Sequence, residues 1–176
     1  GVGETDGFST FAPILLPLSA PVDEATLVQD RIELFRYDQG SVESLPFELR
    51  YHAEDALIYL VPAGSLPEGA GIAVAVWAGI TSIEGAAMER PAAMDCLLEG
   101  WDDPDYAILA EGLQGAAAAL EASGQDMGEI VWLNSFQTAS PNARVKALGA
   151  AHDAALEAGD LYATFPHVLE ATDESG

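Results

Sequence analysis

The chain has 176 residues, 49% of them apolar, and carries 29 acidic against 6 basic side chains for a formal charge of −23. Chains of this length and apolarity bury a full core, and no apolar run here approaches the roughly 20 residues of a membrane-spanning helix. So dense a negative charge repels phosphates and anionic lipid heads, which excludes nucleic acid as a partner and argues against membrane insertion by this segment.

Gly1 opens the chain without Met and without a charged-then-apolar leader, which reads either as removal of a signal segment or, the favoured reading, as a segment cut from a longer polypeptide. Residues 1–7 form a loose leader. Residues 10–19, TFAPILLPLS, are apolar but contain Pro13 and Pro17. Proline lacks the ladder donor, so this is an edge strand or a broken one. Residues 20–23 turn the chain, and residues 24–29 make one helical turn. Residues 31–37, RIELFRY, form a strand that ends in a polar turn at Gln39, Gly40 and Ser41. In residues 46–52, Phe47, Leu49 and Tyr51 alternate inward, and residues 53–56 make a hairpin into residues 57–61.

The clearest pattern lies in residues 56–85, ALIYLVPAGSLPEGAGIAVAVWAGITSIEG. Leu57, Tyr59 and Val61 alternate, then Ile72, Val74 and Val76 alternate again, with proline- and glycine-marked turns between and after them. Period-two patterning bounded by turn residues is the signature of half-buried antiparallel strands. The inward positions are expected to be Leu34, Leu49, Tyr59, Val74, Val76 and Phe136.

Residues 89–100 read as a mixed loop, long by the usual standard. Asp103, Pro104 and Asp105 then open a helix, with a capping aspartate, a first-turn proline and acid at the positive end of the dipole. Tyr106, Leu109, Leu113, Ala116 and Leu120 give it one apolar face, and Ser123-Gly124 end it. Residues 129–138, EIVWLNSFQT, form a further strand. Ser140-Pro141 start a second, alanine-rich helix with Val145, Leu148 and Leu156 on one side and Gly159 at its end. The last residues lose all pattern. The sum is a mainly β fold, an antiparallel β-sandwich with two added α-helices, and no internal repeat.

Catalytic signatures are missing. Ser65 follows Gly64, but Pro67 takes the place of the closing glycine that a G-x-S-x-G nucleophile turn needs. His52, His152 and His167 have neither nucleophile partners nor metal-ligand spacing, so they read as surface or boundary residues. Gly1-x-Gly3 precedes no helix and Gly69-x-Gly71 runs into a strand, whereas a phosphate cradle needs a glycine turn at a helix N-terminus. Asp102, Asp103 and Asp105 lack the alternating ligands of a calcium loop, and helix capping accounts for the last two. Trp77 and Trp132 lie in apolar strands and read as core, leaving Trp101 beside the acidic loop as the exposed tryptophan. Cys96, the single cysteine, sits among apolar neighbours and reads as a buried structural thiol. No catalytic, cofactor-binding or metal-ligating residue is expected, and no cofactor.

Several segments together resemble the bacterial Ig-like module of surface-layer and other exported proteins. They are Pro21-Val22-Asp23 with Thr26-Leu27, Ile32-Glu33-Leu34-Phe35, residues 57–62, Leu66-Pro67-Glu68-Gly69, residues 74–79, residues 82–85 and Phe136-Gln137-Thr138. More narrowly, Asp6-Gly7-Phe8-Ser9-Thr10 with Ala12-Pro13-Ile14 looks like the opening of the domain that precedes the catalytic part in bacterial virulence-factor-type lipases. That family also places a helix before its last F-x-T strand. Ile72 departs from the pattern, standing where these modules often have tyrosine. The resemblance implies an Ig-like sandwich over residues 8–140, with a helix of about residues 103–122 inserted before the last strand. Residues 141–176 would lead toward a downstream domain. It implies a non-catalytic accessory domain of a larger exported lipase or esterase, extracellular, cell-surface or periplasmic, whose partner is the hydrolase domain of the same polypeptide. The other expectation is an adhesive or carbohydrate-binding sandwich working through its loops, with calcium assisting.

Overall fold

The computed structural model describes residues 7–99, 107–140, 149–154 and 157. The chain divides into two compact units, Gly1–Ala139 and Ser140–Gly176. In the second, residues 149–154 are helical, and the start of the helix expected from Ser140 lies outside the described residues.

The first unit holds seven strands among its described residues: β1 (Ile14–Pro17), β2 (Ile32–Asp38), β3 (Ser41–Ser44), β4 (Phe47–His52), β5 (Leu57–Pro62), β6 (Gly71–Trp77) and β7 (Ile130–Gln137). They pair antiparallel into two sheets, β1-β5-β4 and β3-β2-β6-β7. This is the B-E-D and C′-C-F-G strand order of an Ig-like sandwich, with a two-residue hairpin at Gln39-Gly40 joining C and C′. Phe8 adds a parallel bridge to Thr138 at the far edge. The mainly β, sandwich reading of the sequence holds.

The interior of the sandwich is built from Leu34, Ile58, Leu60, Ile72 and Val74, each at most 1% exposed. A second core lies on the other face of the four-stranded sheet. There Phe35, Ala73, Ala75 and Leu133 pack against Leu113, Ala116 and Leu120 of α2 (Ala107–Ala122) and Met94 of α1 (Ala92–Glu99). The division is visible within β6, where Ile72, Val74 and Val76 fill the sandwich while Ala73 and Ala75 keep the opposite face low enough for a helix. Gly124 ends α2 at φ 86°, with Gln125 N–H returning to the Leu120 carbonyl at 3.1 Å. Arg90 ties the start of α1 to β7: its Nε donates to the Ile130 carbonyl at 2.7 Å and a terminal nitrogen to the Met127 carbonyl.

Four expectations are corrected. Residues 89–100 are not all loop, because α1 occupies Ala92–Glu99. Its apolar positions find the second core, which a local reading of the segment does not reveal. On β5 the buried residues are Ile58 and Leu60, whereas Leu57, Tyr59 and Val61 point to the outer face of the three-stranded sheet. Both parities of this strand are apolar, so alternation alone does not choose the inward set. Leu49 and Phe136 are half-buried at the margins of the core, because β4 and β7 are edge strands. The first helical turn falls at Gln29–Arg31 as 3₁₀, after a turn closed by Thr26 N–H on the Asp23 carbonyl at 2.9 Å. Tyr106 and the proposed capping residues Asp103 and Asp105 lie outside the described residues.

Candidate functional site

The residues weighed for chemistry are dispersed. His52 ends β4 and pairs through Nδ1 with Asp55 at 3.0 Å, both more than half exposed. His152 lies beside Asp153 in the second unit at 3.5 Å. Among the described residues no three His, Cys, Asp or Glu side chains converge on a point where a cation could sit. His167, Trp101, Asp102, Gly1 and Gly3 lie outside the described residues. Gly69 adopts φ 58° in the turn before β6, as a strand-entry glycine does. Trp77 and Trp132 are half-buried against the second core. Cys96 is exposed, contrary to expectation: it lies on the solvent side of α1, while Met94 faces the sheet.

Two surfaces stand out instead. The first is a cleft of about 670 Å³ between the β2–β3 turn, the start of β6 and α2. Arg36, Asp38, Gln39, Gly71, Gly115 and Gln137 are among the residues that line it. Tyr37 also lines it, and its hydroxyl donates to the Gly112 carbonyl at 3.2 Å. Arg36 also reaches Glu43 at 3.6 Å.

The second is the outer face of the three-stranded sheet. Register places Leu15, Tyr59 and Arg50 in one row and Pro17, Leu57 and His52 in the next, with Val61 beside Glu48. Leu15 is 51% exposed. The apolar half comes from β1 and β5, and the charged half from β4. Arg50 binds Glu48 through two contacts, Nε to Oε1 at 2.9 Å and a terminal nitrogen to Oε2 at 3.0 Å. That hydrogen-bonded guanidinium holds the Glu48 carboxyl below its ordinary range and raises Arg50. Reading Leu57, Tyr59 and Val61 as the inward set missed this face; the signal that points to it is the unbroken apolar run LIYLV, since both parities of the strand are apolar.

The fold defines an Ig-like sandwich domain, and these two exposed surfaces are its candidate working parts. No described helix is long and apolar enough to cross a membrane. No family model matches the chain, and no curated protein matches it. Among solved structures, the crystal structure of the N-terminal part of the bacterial S-layer protein SbsC is similar over 46% of this chain and 18% of its own, at 17% identity and a TM-score of 0.37.

Proposed function

We propose that this chain is a non-catalytic accessory Ig-like domain of a larger exported lipase or esterase, which positions or shields the hydrolase domain of the same polypeptide. The observation that carries the reading is the apolar outer face formed by Leu15, Pro17, Leu57, Tyr59 and Val61. A surface strand with both faces apolar suits a sheet that another body covers. Helices inserted between β6 and β7, ahead of the F-x-T strand end, add the feature shared with the lipase-associated domains. The downstream hydrolase is the occupant this reading assigns to the face.

The test compares the parent polypeptide with this domain alone. The parent should contain a G-x-S-x-G turn beyond residue 176 and hydrolyse short-chain esters, while the isolated domain does not. Hydroxyl-radical labelling of Tyr59 should fall in the parent. A parent without a hydrolase, or Tyr59 labelled equally in both proteins, overturns the proposal. The second reading, a carbohydrate-binding module, draws on the cleft with its amide, guanidinium and carboxylate lining. Glycan-array binding abolished by Gln137→Ala would favour it.

A further inference from the structure

Sheet edges present unpaired N–H and C=O groups to which another chain can add. In this sandwich three of the four edges are closed or unsuitable, each by a different device. On β1, Leu18 N–H bonds the Ala56 carbonyl at 2.9 Å, so by antiparallel alternation positions 14, 16 and 18 turn toward β5 while 13, 15 and 17 turn outward. Two of those three outward positions, Pro13 and Pro17, have no donor. On β7 the outward N–H of Leu133 meets Met94 Sδ at 3.2 Å, that of Ser135 meets Asn134 Oδ1 at 2.9 Å, and Phe8 takes the Gln137 carbonyl and the Ala139 N–H. β3 has four residues, and Glu43 lies between its outward positions, where a second copy would set carboxylate against carboxylate.

β4 is different. Ala63 N–H bonds the Pro46 carbonyl at 2.9 Å, so positions 46, 48, 50 and 52 turn toward β5, and Phe47, Leu49 and Tyr51 turn their backbone groups outward. Among the described residues, one of these groups has a partner: the Phe47 carbonyl accepts from Gln29 Nε2 at 3.1 Å. The strand is six residues long with no proline inside it and no bulge.

We propose that β4 is a dimerisation edge. Two copies of this chain pair antiparallel about a two-fold axis at Leu49, joining their three-stranded sheets into one of six strands. In that register Glu48 faces Arg50 of the partner subunit, and Arg50 faces the partner's Glu48. On the inner side Phe47 faces the partner's Tyr51. Each copy already holds Glu48 and Arg50 together, so the dimer sets four charges of alternating sign on one face. Moving the axis to Tyr51 sets Arg50 against the partner's His52 and loses this match. The interface is isologous, as a closed dimer requires. The overall charge of −23 on each copy opposes the approach, so association depends on salt, which screens distant charges more than those in contact.

The test is sedimentation equilibrium of the whole chain across protein concentration, at low salt and at about 0.3–0.5 M sodium chloride, a range where screening reaches within roughly 10 Å. Dimer should form at the higher salt, with slowed amide exchange at Leu49 and Tyr51. Glu48→Arg and Arg50→Glu should each weaken association by about tenfold or more, because like charges then face each other. The double exchange should restore it. The two single variants shift net charge in opposite directions, so weakening by both isolates the contact from the global field. A monomer at every salt concentration overturns the proposal. So does a dimer indifferent to both exchanges, or one that Glu48→Arg tightens.

Discussion

The ring of Tyr37 lies so close to Gly71 that a Cβ on that glycine would stand 2.9 Å from Tyr37 Cζ. Tyr37 and Gly71 are register partners on β2 and β6, on the face that α2 covers. A Cβ on Gly115 would come within 3.2 Å of the same ring, and the hydroxyl ends on the Gly112 carbonyl. One tyrosine therefore sets the spacing between sheet and helix, and glycines on both sides make room for it. Gly71→Ala should cost about 1–3 kcal/mol, the usual penalty of overpacking. Tyr37→Phe should cost about 0.5–1.5 kcal/mol for the lost hydrogen bond. Urea unfolding of the two variants checks both, and an unchanged midpoint for Gly71→Ala would refute the spacing argument.

Thr138 is buried immediately after the last strand. Its hydroxyl donates to the Pro67 carbonyl at 2.6 Å and accepts from Ala70 N–H at 2.9 Å, closing the turn before β6. Thr138→Val keeps the shape and strands both groups, so a loss of about 1–3 kcal/mol is expected. Thr138→Ser should recover most of it. Equal stability of the valine and serine variants in chemical denaturation would deny the hydroxyl this role.

Phe35 is fully buried under the helices, whereas Phe136 is half-buried on an edge strand and meets Phe8 edge-on at 5.5 Å. Phe35→Ala should cost about 3–5 kcal/mol. Phe136→Ala should cost clearly less, since part of its ring already meets water. Thermal or denaturant unfolding that ranks the two the other way would place the weight of the core elsewhere.

Cys96 should react with a maleimide in the folded protein at a rate near that of a free thiol, because it is exposed on α1. Labelling that requires denaturant would contradict this placement.

The folded state gathers 29 carboxylates that the unfolded chain spreads apart. The three Arg–carboxylate pairs of the described residues, Arg36–Glu43, Arg50–Glu48 and Arg90–Asp95, involve largely exposed carboxylates and offset little of that repulsion. Melting temperature should therefore rise with sodium chloride from low to near-molar concentration. Millimolar calcium should add no more than its ionic strength, and a saturable shift at micromolar calcium would count against this account.

Much of the sandwich is readable locally. The hairpin at residues 53–56, the proline-marked edge at β1 and the alternation of Phe47, Leu49 and Tyr51 all depend on neighbours within one or two strands. So does the stop of α2 at Gly124. Residues 92–99 are another matter: their short apolar pattern becomes a helix because Met94 reaches Phe35, Leu133 and their neighbours, which lie far away in sequence. The candidate faces were legible only as composition. LIYLV announces a strand without a solvent side but not which side is covered.

What the amino-acid sequence determines by itself is the repertoire: an acidic chain, antiparallel strands of period two, a helix with one apolar face before the last strand, and no G-x-S-x-G nucleophile turn. These follow from local sterics, turn chemistry and charge, which act over a few residues. Tertiary structure alone decides that Ile58 and Leu60, not Tyr59, enter the core, and that Cys96 faces water. It also decides that the backbone groups of Leu49 and Tyr51 lie at a sheet edge with no partner among the described residues. Each of these depends on which strand lies beside which, and pairing between residues far apart in the chain is set by the packing of the whole sandwich.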